Sequence, residues 1–285
     1  MHRTENIKEF AVIGYPLDQS MSPVLHNEVF NQLNINAVYR KIEICKQNFF
    51  SQLSQKYIKK LTGFNVTTPH KNLIMDKLDF LDPIAEKIGA VNCVLIREGE
   101  LRGFNTDYFG FDMSLKKNDI KVENKSVLIL GAGGVSFSVV YALIKNKISK
   151  IVIKNRTENK INSLIDRFGS VNKHLEISKY DENYHNLNSF DIIVNCTSVG
   201  MYPSIKYSPI SSNQILPKHT IIETIYNPIK TQLLKRAKLN GARVFDGLDM
   251  FIYQGLASLD IWLNKNISET IKYQNLKKKI INQLC

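Results

Sequence analysis

Residues able to carry chemistry gather in two stretches of this chain. The first is Gly63 to Lys71, G-F-N-V-T-T-P-H-K, where apolar residues give way to Asn65, Thr67, His70 and Lys71. Lys71 and His70 are its candidates for acid–base work, and the polar groups fall at a strand end, where α/β proteins place ligands. Pro69 suits a first helical turn, so the pattern predicts a helix running on to about Leu81. That helix would seat Lys71 where the dipole disfavours a cation, which points to a task other than local stability. Ser20 and Ser22 follow the strand Phe10 to Gly14, and two hydroxyls there could hold a polyol or a carboxylate. One cap and one turn serine is the plainer alternative, since Ser22-Pro23 is a good helix opening with Leu25, Val29 and Leu33 on the buried face.

The second stretch is Ser126 to Ser136, S-V-L-I-L-G-A-G-G-V-S. Val127 to Leu130 suits a strand buried on both faces, and Val139, Val140, Leu143 and Ile144 recur at helical spacing beyond it. Gly131, Ala132, Gly133, Gly134 and Val135 therefore lie between a strand end and a helix start, where free N–H groups and the dipole attract phosphate. Ser136 stands in the third position of G-x-G-x-x-G and is small enough for close packing. The next strand, Lys150 to Lys154, completes a βαβ unit. About twenty residues after the turn, where an NAD site carries an acid for the ribose, the chain has Asn155-Arg156-Thr157. Arg156 and Lys160 can pair with a 2′-phosphate, which favours NADP over NAD. Glu158, the nearest acid, would favour NAD if it turned inward.

Size and charge narrow the classes. With 285 residues and 44% apolar content the chain can bury two cores, and its net charge of +12 suits anionic ligands. The cations are scattered in short groups such as Lys59-Lys60 and Lys277 to Lys279, without an aromatic-interleaved stripe, so no nucleic-acid partner is expected. The four cysteines lie far apart without a C-x-x-C pair and read as reduced thiols, and the histidines lack ligand spacing, so no metal is expected. Met1 to Glu9 has no apolar signal core and no window suits a membrane span. A cytoplasmic protein acting on a small molecule, as monomer or homodimer, is the expectation.

The remaining pattern supplies further strand ends. Val38 to Ile44 reads as a strand and Asn48 to Leu61 as a helix with Phe49, Leu53, Tyr57 and Leu61 on one side. Asp82-Pro83 opens a short helix ending near Gly89, followed by a strand, Ala90 to Ile96, a turn at Gly99 and a return strand, Leu101 to Asn105. These put Asn92, Asn105 and Asp107 at strand ends. Tyr108 to Lys117 reads as a helix. Phe190 to Val194, Thr220 to Thr224 and Arg243 to Phe245 read as strands, Gln232 to Leu239 and Met250 to Trp262 as helices, and Ser268 to Leu284 as a Lys-rich amphipathic helix. A terminal helical pair that folds back onto the first domain would carry Gln254 with it.

In combination these stretches resemble the shikimate dehydrogenase family. The matching residues are Ser20-Met21-Ser22-Pro23, Asn65-Val66-Thr67 with Pro69 and Lys71, Gly89-Ala90-Val91-Asn92, Asn105-Thr106-Asp107, Gly131-Ala132-Gly133-Gly134, Asn155-Arg156-Thr157, and Asp246-Gly247-Leu248 with Gln254. They follow the family's order along nearly the whole chain. The resemblance implies an α/β fold with an N-terminal substrate domain, residues 1–107 completed by 248–285, whose C-terminal helices pack back on it. A Rossmann-type doubly wound NADP domain, 108–247, would lie between, with a cleft where the two meet.

The implied reaction is the reversible reduction of 3-dehydroshikimate to shikimate by NADPH in aromatic amino-acid biosynthesis. Lys71 and Asp107 would sit at the reacting oxygen, Ser20 and Ser22 on the substrate carboxylate, and Thr67, Asn92, Tyr226 and Gln254 on the ring and its hydroxyls. Gly131 to Val135, Asn155, Arg156, Thr157, Lys160, Thr224 and Gly247 would hold the cofactor. Two residues depart from the family pattern: Tyr108 stands where Gly is usual, and Asp249, where a small residue is usual, would repel a nearby phosphate. An NAD-dependent quinate or shikimate dehydrogenase and a non-catalytic dinucleotide sensor are the alternatives, and a methyltransferase would want an acid where Arg156 stands.

Overall fold

The computed structural model describes residues 7–54, 58, 60–169, 175–181 and 187–284. Tyr57, on the expected face of the helix after Asn48, and Cys285 lie outside them. The chain forms two compact units, Met1–Thr106 with Ile252–Gln283, and Asp107–Phe251. It thus leaves the first unit once and returns to it within a helix.

The first unit is a six-stranded mixed sheet in the order β2-β1-β3-β5-β6-β4. Its strands are β1 (Lys8–Gly14), β2 (Ala37–Glu43), β3 (Gly63–Val66), β4 (Phe80–Leu81), β5 (Cys93–Arg97) and β6 (Glu100–Phe104). β1 pairs in parallel with both β2 and β3, so these strands end at the same edge of the sheet, and β3, β5 and β6 then run antiparallel. Helix α1 (Ser22–Gln32) covers this sheet. A core cluster is built from Ala11, Ile13, Phe64, Val66, Val91 and Val94, which pack with Ile44 and Phe49, the latter from the short helix α2 (Phe49–Leu53). Helix α3 (Pro83–Ile88) is capped by Asp82, which accepts from Ile84 N and Ala85 N, and closes at Gly89 with φ +76°.

The stretch after Pro69 is not the helix its sequence suggests. Instead, a short 3₁₀ turn, Leu73–Lys77, leads into the two-residue strand β4. Two ties prevent a helix here. His70, fully buried, lies flat on Phe49 at 4.0 Å with Nε2 2.6 Å from Ile44 O. Further on, Asp79 N and Asp82 N donate to Leu101 O and Gly103 O of β6. Lys71 thus precedes the 3₁₀ turn, and the expected clash with a helix dipole does not arise.

The second unit is a six-stranded parallel sheet in the order β12-β11-β10-β7-β8-β9. Its strands are β7 (Ser126–Leu130), β8 (Lys150–Lys154), β9 (Glu176–Lys179), β10 (Ile192–Asn195), β11 (Thr220–Glu223) and β12 (Arg243–Phe245). Every pairing in it is parallel, which is why Val127 to Leu130 and Ile192 to Val194 are apolar at successive positions rather than alternately. The helices are α4 (Asp107–Lys117), α5 (Gly134–Lys145), α6 (Glu158–Phe168) and α7 (Gln232–Leu239). This is the doubly wound order, with the chain reversing direction across the sheet at β7.

Helix α8 (Leu248–Leu263) begins in the second unit and brings the chain back to the first. There Gly255 meets Leu25 of α1, where a Cβ would approach its side chain to 2.9 Å, and Trp262 lies on β3. Gly63 must be glycine for that contact, since a Cβ would come within 2.5 Å of the indole. Trp262 Nε1 donates to Val94 O at 2.9 Å, and the ring is 5% exposed. Burying roughly 200 Å² at about 25 cal/mol per Å² gives on the order of 5 kcal/mol before ordering entropy, enough to hold the return helix. The terminal segment departs from expectation in one respect. Ile271, buried and extended, splits it into α9 (Ile267–Thr270) and α10 (Tyr273–Leu284).

Candidate active site

In the first unit the expected residues sit where strands end. Ser22 is the first residue of α1 rather than its cap, a place taken by Met21. The Ser20 hydroxyl accepts from Ser22 N at 3.4 Å and donates to Ser22 Oγ at 3.3 Å, so the two serines form a pair. Thr67 N continues the β1–β3 ladder by donating to Ile13 O, and Lys71 follows, half-buried, its carbonyl taking Val91 N at 2.8 Å. His70 is taken up by packing: burial lowers its pKa, so the ring stays neutral.

Asn92 is the centre of a buried network. Its Oδ1 accepts from Thr106 N at 2.6 Å, and its Nδ2 donates to Thr106 Oγ1 at 2.9 Å and Gln254 Oε1 at 3.4 Å. Asn65 donates to Asn92 O at 3.0 Å and to Ser258 Oγ at 2.9 Å, and accepts from Tyr39 Oη at 2.7 Å. Ser258 in turn donates to Gln254 O at 3.0 Å. Each buried amide is bonded on both sides, which removes the penalty of burial and fixes which way each amide points. Two of the expected substrate groups, Asn92 and Gln254, are thus oriented by neighbours. The sequence pattern does not single out Ser258, Tyr39 or Thr106 as binding residues. Ser258 lies four residues after Gln254 on one helix face, a spacing that could have revealed it.

In the second unit Asp107 is the first residue of α4 and is 6% exposed. Tyr226 stacks on Phe251 at 4.1 Å. Gly131 has φ +104°, and a Cβ there would come within 3.0 Å of the Cys196 carbonyl, so the turn requires glycine. Gly133 is different: it is exposed, and a Cβ built on it meets nothing within 4 Å. Its place at the head of a 12-residue helix leaves backbone open to a phosphate, so these residues fit a dinucleotide. Ser136 closes the turn, accepting from Gly133 N at 3.2 Å and donating to Gly131 O at 3.0 Å.

At the end of β8, Arg156, Thr157 and Lys160 are exposed, and Asn155 Nδ2 donates to Thr157 O. Glu158 does not stand alone, because Lys179 at the end of β9 holds its Oε1 at 2.6 Å. Thr224 Oγ1 donates to Asn195 O at 2.8 Å. Gly247 lies against that turn, and a Cβ would be 2.5 Å from Thr224 O. Tyr108 meets Tyr141 edge-on at 5.4 Å, and Asp249, 5% exposed, accepts from Asn118 Nδ2 at 3.0 Å.

Two family models match this chain. The shikimate dehydrogenase substrate binding domain covers residues 12–94, and shikimate / quinate 5-dehydrogenase covers residues 113–212. A shikimate dehydrogenase (NADP(+)) of Bacillus cereus strain AH187 is 34% identical over 276 residues, spanning 96% of this chain and 98% of that protein. The chain belongs to the shikimate dehydrogenase family. Within the family, the crystal structure of shikimate 5-dehydrogenase from Thermus thermophilus in complex with NADP(H) and shikimate matches at TM-score 0.82 and 29% identity, over 96% of this chain and 98% of that one. The ligand-free 5-ketofructose reductase of Gluconobacter sp. strain CHM43 matches at TM-score 0.81 and 27% identity, over 98% and 99%, so architecture alone does not name a substrate. No helix among the described residues is long and apolar enough to cross a membrane.

Proposed function

We propose that the chain catalyses the reversible NADPH-dependent reduction of 3-dehydroshikimate to shikimate in aromatic amino-acid (chorismate) biosynthesis. The observation that carries this reading is its relationship, along nearly its whole length, to NADP(+) shikimate dehydrogenases. The open glycine turn and the exposed cations beyond β8 support it.

NADPH, when bound, supplies the hydride. Hydride reaching a carbonyl carbon leaves negative charge on the oxygen, so a cationic proton donor stabilises the transition state more than the ground state. Lys71 is that donor, giving its Nζ proton to the oxygen in reduction and recovering it in oxidation. Asp107 takes part in the same transfer as a hydrogen-bond acceptor. Ser20 and Ser22 hold the substrate carboxylate, and Thr67, Asn92, Tyr226 and Gln254 orient the ring and its hydroxyls. Gly131, Ala132, Gly133, Gly134 and Val135 take the pyrophosphate; Asn155, Arg156, Thr157 and Lys160 take the 2′-phosphate side; Thr224 and Gly247 complete the cofactor contacts. Residues 1–107 with 248–285 serve as the substrate domain and 108–247 as the dinucleotide domain. The protein works in the cytoplasm on a small molecule, as monomer or homodimer, without nucleic acid or membrane; free thiols at Cys45, Cys93 and Cys196 support that compartment.

Absorbance of the reduced nicotinamide, followed with shikimate and quinate against NADP and NAD, tests the reading. Fastest turnover is expected for shikimate with NADP. Turnover of quinate alone, or a kcat/KM for NAD above that for NADP, would overturn it.

A further inference from the structure

Glu223 has no part in the proton transfer, yet it is a buried acid of the second unit with donors on both carboxylate oxygens. It ends β11 and is 1% exposed. Its Oε1 accepts from Asn195 Nδ2 at 2.9 Å and Ile225 N at 3.1 Å, and its Oε2 from Asn195 Nδ2 at 3.1 Å and Thr231 Oγ1 at 3.1 Å. Those donors belong to three segments: the end of β10, the turn after β11, and the cap of α7. Asn195, itself fully buried, passes the restraint outward. Its Oδ1 accepts from Thr197 N at 3.0 Å and Thr197 Oγ1 at 2.7 Å, and Thr197 Oγ1 accepts from Val199 N at 3.0 Å. The same loop forms the wall behind Gly131, where a Cβ would touch the Cys196 carbonyl. Thr224, assigned to the cofactor, is anchored to Asn195 O.

We propose that Glu223 is a positioning residue for nucleotide binding: its carboxylate sets the Asn195–Gly200 loop and the Thr224 turn against the glycine turn, and thereby governs cofactor affinity rather than the proton-transfer step. The proposal rests on the cofactor assignment above. A carboxylate suits the site because every group donating to it is neutral, and a proton on Oε1 would face N–H donors only. Burial holds the pKa up at about 7 against the donors that lower it, so the switch lies within a working pH range. The titratable group facing it from the loop is the Cys196 thiol, which burial pushes up to about 12 and keeps neutral.

The test measures NADP affinity by direct binding to the full chain, and kcat and both KM values, for wild type, Glu223→Gln and Glu223→Asp from pH 5.5 to 9. Glu223→Gln is expected to weaken NADP binding about 10-fold or more at pH 8, from the loss of charge-assisted bonds, with kcat at saturation and KM for shikimate within about 3-fold. Wild-type affinity should fall as pH drops through 7, Glu223→Gln should lack that component, and Glu223→Asp should recover part of the affinity and the pH dependence. Thr231→Val, which removes one donor, should show the same pattern at smaller amplitude and decides the matter should Glu223→Gln fail to fold. Unchanged NADP affinity in folded Glu223→Gln, or in Thr231→Val where only that variant folds, would overturn the proposal, as would losses shared equally by kcat and both substrates. NADP binding without shikimate turnover would instead defeat the activity reading and leave this one standing.

Discussion

In the first unit Asn65, Asn92, Thr106 and Ser258 are buried and bonded to one another, whereas in the second Arg156 and Lys160 stand exposed beyond β8. The hydroxyls of a ligand are recognised by direction, so the groups that bind them must be fixed before it arrives. A phosphate is recognised by charge, which acts over a longer range and tolerates mobile side chains. The buried ionisable groups differ in the same spirit. His26 of the first unit stacks on Tyr39 at 4.2 Å, and neither ring nitrogen has a partner with hydrogen-bond geometry. Burial lowers its pKa to about 3, outweighing the nearby Asn65 side chain, which raises it. Glu223 of the second unit is fully partnered, and burial raises it to about 7.

These shifts act on stability with opposite sign. His26 is depressed from its unfolded value of 6.5, so its contribution is present above 6.5 and is lost as pH falls through about 3, on the order of 5 kcal/mol at the limit. Glu223 is raised from 4.5, so its contribution is present below 4.5 and is lost as pH rises through about 7, roughly 3 kcal/mol. The single tryptophan, Trp262, lies in the first unit, so its fluorescence reports that unit while amide exchange reports the second. Denaturation midpoints by fluorescence should drop below pH 6, and His26→Phe, which keeps the stack, should flatten that limb. Protection of β10 and β11 should weaken between pH 5 and 8 in wild type and not in Glu223→Gln. Parallel pH dependence of the two probes would erase the contrast.

Arg156→Gln should lower the ratio of kcat/KM for NADP over NAD about 10-fold or more, roughly what one charge-assisted phosphate contact contributes. An unchanged ratio would remove Arg156 from 2′-phosphate recognition. The smallest effect belongs to Lys179, whose exposed pair with Glu158 neutralises the acid next to those cations. Lys179→Gln should lower the same ratio by about 2- to 5-fold at low salt, with the difference fading at high salt.

Much of this contrast is legible in the residues. The continuous apolar runs Val127 to Leu130 and Ile192 to Val194 mark a parallel sheet, and the glycine turn between strand and helix follows directly. The stretch after Pro69 misleads, because proline fits a helix start but His70 and β6 hold the backbone elsewhere. Helix α6 and edge strand β9 are absent from the sequence reading, although Ile161, Leu164 and Phe168 carry a helical face. Strand β9, E-I-S-K, is too short and polar to stand out. The buried networks around Asn92 and Glu223 join residues far apart in the chain, Asn92 to Gln254 and Asn195 to Glu223, and spacing carries no signal for those two pairs.

The assignment of the proton donor to the first unit and of cofactor holding to the second stands or falls most directly on Lys71→Ala, in which kcat with shikimate and direct NADP binding are measured on the same preparation. The expected result is kcat lower by about 100-fold or more with NADP affinity unchanged. Turnover at the wild-type rate would contradict it.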